Sequence, residues 1–475
     1  MRKARPNLKA NKNIIRITYA IVGLFLALSV YLGYFIQVDS ENVINNSYNG
    51  RLDRFSDRVL RGKILAEDGR VLVETQVDSE GNENRIYPYG SVFDHVLGYS
   101  EKGKTGIEGL ANFYLLTSHV NLVEQIVNEL AGKKNLGDSV YTTLDADLQM
   151  AAYEALGDRK GAVIAMEPDT GKILAMVSKP GYDPNMLLKD WEELTDEKKS
   201  EGRLLNRATQ GLYPPGSTFK IVTALEYMRE HPDTMDYRFD CSGVYNNGTH
   251  QIKCYGSTAH GRQDFKTAFA NSCNGAFSSM GLELNLERFY ETGRGLLFHS
   301  ELPLAGIPYK QSSFDMDAGA GSWEVLQTSI GQGRTQITPI HNAMITAAIA
   351  NGGTLMKPYF LDSVVSAGGE RIKKFIPSAY GSLMTAKEAA DLTELMEAVV
   401  TEGTGSGVRT DAYTVAAKTG SAEFETGKET HAWFTGFAPA ESPKLVVTVL
   451  VEEGGSGGTA AVPIARQLFD EYMSR

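Results

Sequence analysis

Cysteine is scarce in this chain, with three residues in 475. Cys241, Cys254 and Cys273 show neither the paired spacing of a familiar metal site nor the density of a disulfide scaffold, so no metal ligand is assigned. Acidic side chains are missing from residues 1–16, which hold Arg2, Lys3, Arg5, Lys9, Lys12 and Arg16. The rest of the chain sets 41 basic residues against 58 acidic ones, a balance that excludes nucleic acid as the main partner, because phosphate binding needs a concentrated positive surface. Charge of either sign is missing from Ile17 to Ile36. As a helix, twenty such residues span a hydrocarbon core of roughly 30 Å. The preceding basic flank predicts a cytoplasmic tail over 1–16, a single-pass anchor over 17–36 and an extracytoplasmic remainder, with Tyr19 and Tyr34 near the two interfaces. A cleaved signal peptide is the rival reading, but the apolar run is long for one and the following Q-V-D-S-E lacks a small-x-small cleavage site. Outside the membrane a disulfide between Cys241 and Cys254 stays open, whereas Cys273 reads as a buried structural thiol.

The length suits two folded units after the anchor, and no internal repeat or low-complexity segment is present. Residues 37–60 read as a juxtamembrane stalk. Gly62 to Thr75 reads as a β-hairpin with Gly69 in its turn, and Leu122, Val123, Ile126, Val127 and Leu130 recur at helical spacing before Gly132. The first extracytoplasmic unit therefore closes near residue 137. From 138 to 475 the pattern is that of one larger mixed domain. Asp145 is set to cap a helix through Leu156, and G-A-V-I-A-M pairs with I-L-A-M-V-S across D-T-G-K. Three strands follow one another near the end (residues 415–423, 431–438 and 444–452) as antiparallel neighbours, with a covering helix from about Ala460 to Met473. The expected class is α+β: an anchor, a small mostly β unit, and a domain with a central antiparallel sheet flanked by helices.

The chemistry concentrates at Y-P-P-G-S-T-F-K, residues 213–220. Two prolines and a glycine break the preceding structure, and Ser217 then opens an apolar helix on which Lys220, three residues on, shares its face. A serine hydroxyl needs a base to become a nucleophile, and a lysine whose pKa is lowered by burial can serve. Alone, such a pair also fits an N-cap serine with a snorkelling lysine. Two further triplets follow in order, Ser272-Cys273-Asn274 and Lys418-Thr419-Gly420. S-x-x-K, S-x-N and K-T-G in that order, with A-N-S-C-N, I-G-Q-G-R-T-Q-I-T-P and G-T-G as flanks, resemble the penicillin-binding transpeptidases from about Asp138 to Arg475.

The resemblance implies a peptidoglycan D,D-transpeptidase in which Ser217 attacks the penultimate D-Ala carbonyl of a stem peptide with Lys220 as general base. Ser272 links the proton path, Asn274 holds the substrate amide and Lys220, and Lys418, Thr419 and Gly420 receive the terminal carboxylate. The backbone N–H groups of Ser217 and Ser421 form the oxyanion hole. No metal or organic cofactor is implied. β-Lactams acylate the same serine, and D,D-carboxypeptidase activity is the expected side reaction. Gly420 keeps a strand edge open for an extended peptide. His431, Trp433 and Glu423 read as packing or supporting residues. R-G-K-I-L-A-E-D-G-R-V-L-V-E, residues 61–74, resembles the pedestal signature of the monofunctional class B, departing from it at Val73 and Glu74. No E-D-x-x-F glycosyltransferase motif lies in residues 37–137, so glycan must come from elsewhere, and a membrane polymerase of the SEDS type is the expected partner. Its contact surfaces are the anchor, through Ala20, Gly23, Ala27 and Gly33, and the hairpin at 62–75. A serine β-lactamase lacks support, since no E-x-x-L-N motif lies between Asn274 and Lys418, and sixteen cytoplasmic residues are too few for the effector of a β-lactam sensor.

Overall fold

The computed structural model describes residues 8–35, 56–316 and 319–475. Part of the expected tail, residues 1–7, the last anchor residue, Ile36, and most of the expected stalk, residues 37–55, lie outside these. Helix α1 (Leu8–Tyr34) contains the apolar run as far as Tyr34, and over Lys12–Tyr34 none of its hydrophobic window is buried against the chain, although its mean hydropathy is 2.0. Such a surface is stable only in an apolar surrounding.

The expected first hairpin is present as β1 (Ile64–Leu65) and β2 (Val71–Val77), with Ile64 opposite Val73 and Gly69 at φ +87° in the turn. β3 (Glu83–Ile86) extends it. Helix α2 (Leu122–Leu130) is capped by the Asn121 side chain, and Gly132 follows at φ +63°. Its apolar stripe, which the periodicity would place against a core, is exposed throughout, from 55 % at Ile126 to 84 % at Leu130. β4 (Ser139–Thr142) lies parallel to β1. The R-G of the pedestal segment has a packing reason. Arg61 reaches the buried Glu108 carboxylate and Asn112, Arg85 reaches Glu108 from the other side, and a Cβ on Gly62 would lie 1.9 Å from the Asp138 carbonyl oxygen.

Asp145 caps α3 (Ala146–Leu156), accepting from the Leu148 N–H at 2.9 Å. β5 (Gly161–Met166) and β6 (Ile173–Lys179) form the second hairpin. Then come α4 (Lys220–Glu230), α5 (Asn274–Glu283) and α6 (Pro339–Ala350). β7 (Leu361–Val365) and β8 (Arg371–Lys374) leave that region and join the first unit, giving a sheet ordered β8-β7-β4-β1-β2-β3. Finally β9 (Ala416–Ala422), β10 (His431–Ala438), β11 (Leu445–Val451) and α7 (Val462–Met473) close the chain. The second large sheet among the described residues is β9-β10-β11-β5-β6, antiparallel at every pairing.

That sheet is buried on both faces, which is why its strands read as continuous apolar runs. Alternation sorts them. Ala162, Ile164, Trp433, Val446 and Leu450 face the core shared with α4 and α6, while Val163, Phe434, Val447 and Val449 face Leu468 and Phe469 of α7. β9 is an edge strand, and the K-T-G triplet lies on it beside the segment that carries Ser217.

Candidate active site

Ser217 lies in a 3₁₀ turn, Gly216–Phe219, rather than in the first turn of the α-helix, and α4 starts at Lys220. The turn is clamped from three directions. Tyr213 exchanges backbone hydrogen bonds with Ile337 at 3.1 and 2.8 Å, the Gly216 N–H donates to the Gly331 carbonyl at 2.9 Å, and the Trp433 indole donates to the Pro214 carbonyl at 3.0 Å. The I-G-Q-G segment is therefore the backstop of the Ser217 turn. Gly331 sits at φ +73°, and a Cβ there would lie 2.1 Å from the Gly216 oxygen. A Cβ on Gly420 would press on the Pro215 oxygen, Trp433 and Thr218 at 3.1 to 3.3 Å, so close packing against this turn is a further reason for glycine in the triplet.

Lys220 is fully buried, and its Nζ donates to the Ser272 carbonyl at 2.6 Å, to Asn274 Oδ1 at 2.7 Å and towards Ser272 Oγ at 3.2 Å. Lys418, equally buried, reaches the same Ser272 Oγ at 2.9 Å. One hydroxyl thus lies between two lysine Nζ atoms taken from segments 52 and 146 residues away. Burial lowers Lys220 to about 8, and burial together with the charge of Lys220 pushes Lys418 well below its ordinary value. In the neutral form Lys220 has two N–H donors for the Ser272 and Asn274 oxygens, and its lone pair is free to take a proton. Ser272 itself holds φ +54°, a costly conformation for a residue with a side chain, between Phe269 and the start of α5. The Ser217 hydroxyl, in contrast, has no hydrogen-bond partner among the described residues and faces a cleft of about 770 Å³.

Ser217, Ser272, Asn274, Thr419, Gly420 and Ser421 all line that cleft, and Lys220 and Lys418 lie beneath it. Local motifs did not single out residues 251–258 and Trp323, which line the cleft as well, whereas Thr404, also in the lining, belongs to the G-T-G flank. Thr404 shares a 2.6 Å hydroxyl contact with Thr419 and so fixes the side chain beside Lys418. His431 is half sandwiched: its ring stacks on Phe424 with centroids 4.0 Å apart, meets Tyr213 edge-on and accepts from the Glu453 N–H at 3.1 Å. Those contacts are those of a packing residue. Cys241 and Cys254 are not bonded, their sulfurs standing 3.7 Å apart, and all three thiols are buried.

Residues 161–470 match the model of the penicillin-binding protein transpeptidase domain, and residues 61–140 match that of the penicillin-binding protein A dimerisation domain. The chain is 33 % identical to the peptidoglycan D,D-transpeptidase PbpA of Mycolicibacterium smegmatis over 87 % of its own length and 89 % of that protein's. It is 31 % identical to the Mycobacterium tuberculosis PbpA over 98 % and 99 %. Among solved structures, the ceftriaxone acyl-enzyme of M. tuberculosis penicillin-binding protein A superposes with a TM-score of 0.79 at 31 % identity, covering 88 % of this chain and 99 % of that one. A transpeptidase domain from Eggerthella lenta gives 0.79 at 30 % identity, covering 87 % and 99 %.

Proposed function

Because this chain belongs to the class B penicillin-binding proteins and is a peptidoglycan D,D-transpeptidase of cell-wall synthesis that β-lactams acylate, we propose that Ser217 is its nucleophile and that Lys220, Ser272 and Lys418 handle its protons. The observation that carries this reading is the Ser272 hydroxyl held between the two buried lysines at the floor of the cleft that Ser217 faces.

The terminal carboxylate of a D-Ala-D-Ala stem enters beside Thr419 and Gly420 on the free edge of β9. Its negative charge favours the ammonium form of Lys418, and repulsion between the two lysines then favours neutral Lys220. Ser217 Oγ attacks the penultimate carbonyl carbon and its proton passes to Lys220 Nζ. The developing oxyanion is met by the N–H groups of Ser217 and Ser421. The C–N bond breaks, and the departing D-Ala nitrogen takes a proton through Ser272, leaving an ester on Ser217. Asn274 orients both the substrate amide and Lys220. An amine of a neighbouring strand then attacks the ester, gives its proton to Lys220, and Ser217 leaves with a proton restored. Water in place of the amine gives the carboxypeptidase reaction, and a β-lactam stops at the ester. The test is mass location of a penicillin adduct, expected on the peptide spanning Tyr213 to Lys220 and absent from Ser217→Ala. Labelling that persists in that variant removes Ser217 from the role.

The same reading divides the chain into a cytoplasmic tail to residue 16, an anchor over 17–36, a pedestal over 37–137 and the transpeptidase domain from 138, with the catalytic face outside the cell. It also assigns glycan supply to a separate membrane polymerase of the SEDS type. Gly23 and Gly33 have open space where a Cβ would stand, which suits close helix packing in the membrane. The hairpin uses Ile64, Leu65, Leu72 and Val73 inside the sheet and leaves Lys63, Glu67 and Asp68 exposed for contact. Exchange of the anchor for an unrelated helix, and charge reversal at those three residues, should each reduce polymerase co-purification. If both leave co-purification and in-cell cross-linking intact with penicillin labelling normal, these surfaces are wrong.

A further inference from the structure

Cys241, Cys254, His260 and Cys273 are brought together although no pair of them is closer than six positions in sequence. Their ligand atoms all lie within 4.8 Å of one another. The Cys241 and Cys254 sulfurs are 3.7 Å apart, those of Cys254 and Cys273 3.9 Å, and Cys241 Sγ stands 3.4 Å from His260 Nδ1. A tetrahedral zinc ion with Zn–S of about 2.3 Å and Zn–N of about 2.0 Å has sulfur–sulfur edges of about 3.8 Å and sulfur–nitrogen edges of about 3.5 Å. These three edges match those of a Cys₃His tetrahedron, and the two sulfur–sulfur separations are far from the roughly 2.05 Å of a bonded pair.

Two further observations point the same way. Backbone N–H groups are aimed at the sulfurs, Gly243 at Cys241 and Ala276 at Cys273, each at 3.4 Å, an arrangement that stabilises thiolate charge. Around them the fold is thin. Residues 239–263 form two-stranded ribbons of three residues per strand, and the apolar residues buried there are Cys241, Ile252 and Cys254. So small a unit needs a staple beyond its own core.

We propose that these four residues form a structural zinc site that holds the S-x-N segment and one wall of the cleft in place. Three thiols give up three protons to solvent as they bind Zn²⁺, and neutral His260 supplies the fourth ligand, leaving a net charge of −1 on the centre. The ion takes no part in bond making. Its reach into the active site is through Cys273, which stands between Ser272 and Asn274 and caps α5. Cys254 adjoins Lys253, whose carbonyl accepts from Asn274 Nδ2 at 2.9 Å. Residues 251–258 and His260 line the cleft itself. Soft sulfur-rich tetrahedral donors select zinc over magnesium or calcium.

The existence of the site is independent of the catalytic roles given above, whereas its effect on acylation rests on them. The test uses the full-length chain purified in detergent without chelator. Elemental analysis should find one zinc per chain in the wild type and equally in Ser217→Ala, and cobalt exchanged into the site should show sulfur-to-metal charge-transfer absorption. His260→Ala, which changes a partly exposed ligand, should lose metal at least tenfold more readily to a chelator. Cys241→Ser should lower the melting temperature and slow acylation by fluorescent penicillin, and added zinc should not restore either. A wild-type protein with no stoichiometric metal and three titratable thiols, or one whose unreduced mass shows a Cys241–Cys254 disulfide, overturns the proposal. So does a His260→Ala variant that holds zinc as tightly as the wild type.

Discussion

Gly331 and Gly333 offer a controlled comparison, because both sit in the left-handed region, at φ +73° and +71°, two residues apart behind the active-site turn. Replacing either by alanine costs about 1 kcal/mol in backbone strain. They differ in what the new methyl meets. At Gly333 the nearest atom is the amide oxygen of the flexible Gln327 side chain at 3.2 Å, which can swing away. At Gly331 it is the Gly216 carbonyl oxygen at 2.1 Å, with Phe219 Cβ at 2.7 Å. Restoring ordinary contact there requires a shift of roughly 1 Å in the turn that carries Ser217, with loss of the 2.9 Å bond from Gly216 to Gly331, worth about 1 kcal/mol. Misplacing a reacting group by that much costs on the order of a hundredfold in rate, or about 2.7 kcal/mol of barrier. Second-order acylation by a fluorescent penicillin, read beside thermal melts, should fall about a hundredfold in Gly331→Ala and within about threefold in Gly333→Ala. Equal losses in the two variants, or near-normal acylation by Gly331→Ala, would refute the clamp.

With Lys220 lowered to about 8, the neutral base is lost below that value, so acylation should rise about tenfold per pH unit from 6 to 7 and level off above 8. A flat profile over that range would show that another group governs the step. Lys220→Arg should still fold and fail to acylate, since guanidinium stays protonated. Near-normal labelling would move the base elsewhere. Glu108→Gln should destabilise the protein by about 3 kcal/mol in chemical denaturation, because it leaves Arg61 and Arg85 buried beside a neutral amide. Burial alone would raise the Glu108 carboxyl, but the two guanidinium groups outweigh it and hold the pKa below the ordinary carboxylate value. That contribution is thus present at neutral pH and lost in acid, as pH falls through the lowered value. Protease added to intact spheroplasts should digest the transpeptidase domain, and full protection would reverse the assigned orientation.

Much of this was legible because the signals are local. The turn at Gly69, the cap at Asp145, the hairpin from Gly161 to Ser178 and the three closing strands each rest on a few neighbouring residues, and all appear where their patterns place them. The ordered Ser217, Ser272 and Lys418 motifs pointed to a single site, and their side chains meet in one cleft and its floor. What was hidden depends on contacts between distant segments. The stripe on α2 has the period of a buried face, yet every member is exposed, since period reports which residues share a side and not what covers it. Gly331 looks like any loop glycine until the Gly216 carbonyl is set against it. The cysteines with His260 follow no compact motif, because their closeness is made by two short ribbons folding back on α5.

Val140 is paired with Ile64 on one side and with Val364 on the other. For a chain made from its N-terminal end, that register has a cost in time. The first hairpin and β4 can join as soon as they emerge, but the far edge of β4 stays open until some 220 further residues have followed it. Until then a row of unpaired backbone groups is presented to whatever else lies nearby, the kind of edge that recruits wrong strands. Residues 37–137 produced alone lack both β4 and β7, and would leave the corresponding edge of β1 open permanently. The pedestal is therefore finished late and from the other end of the chain, so a truncation within the transpeptidase domain before residue 361 damages both units at once.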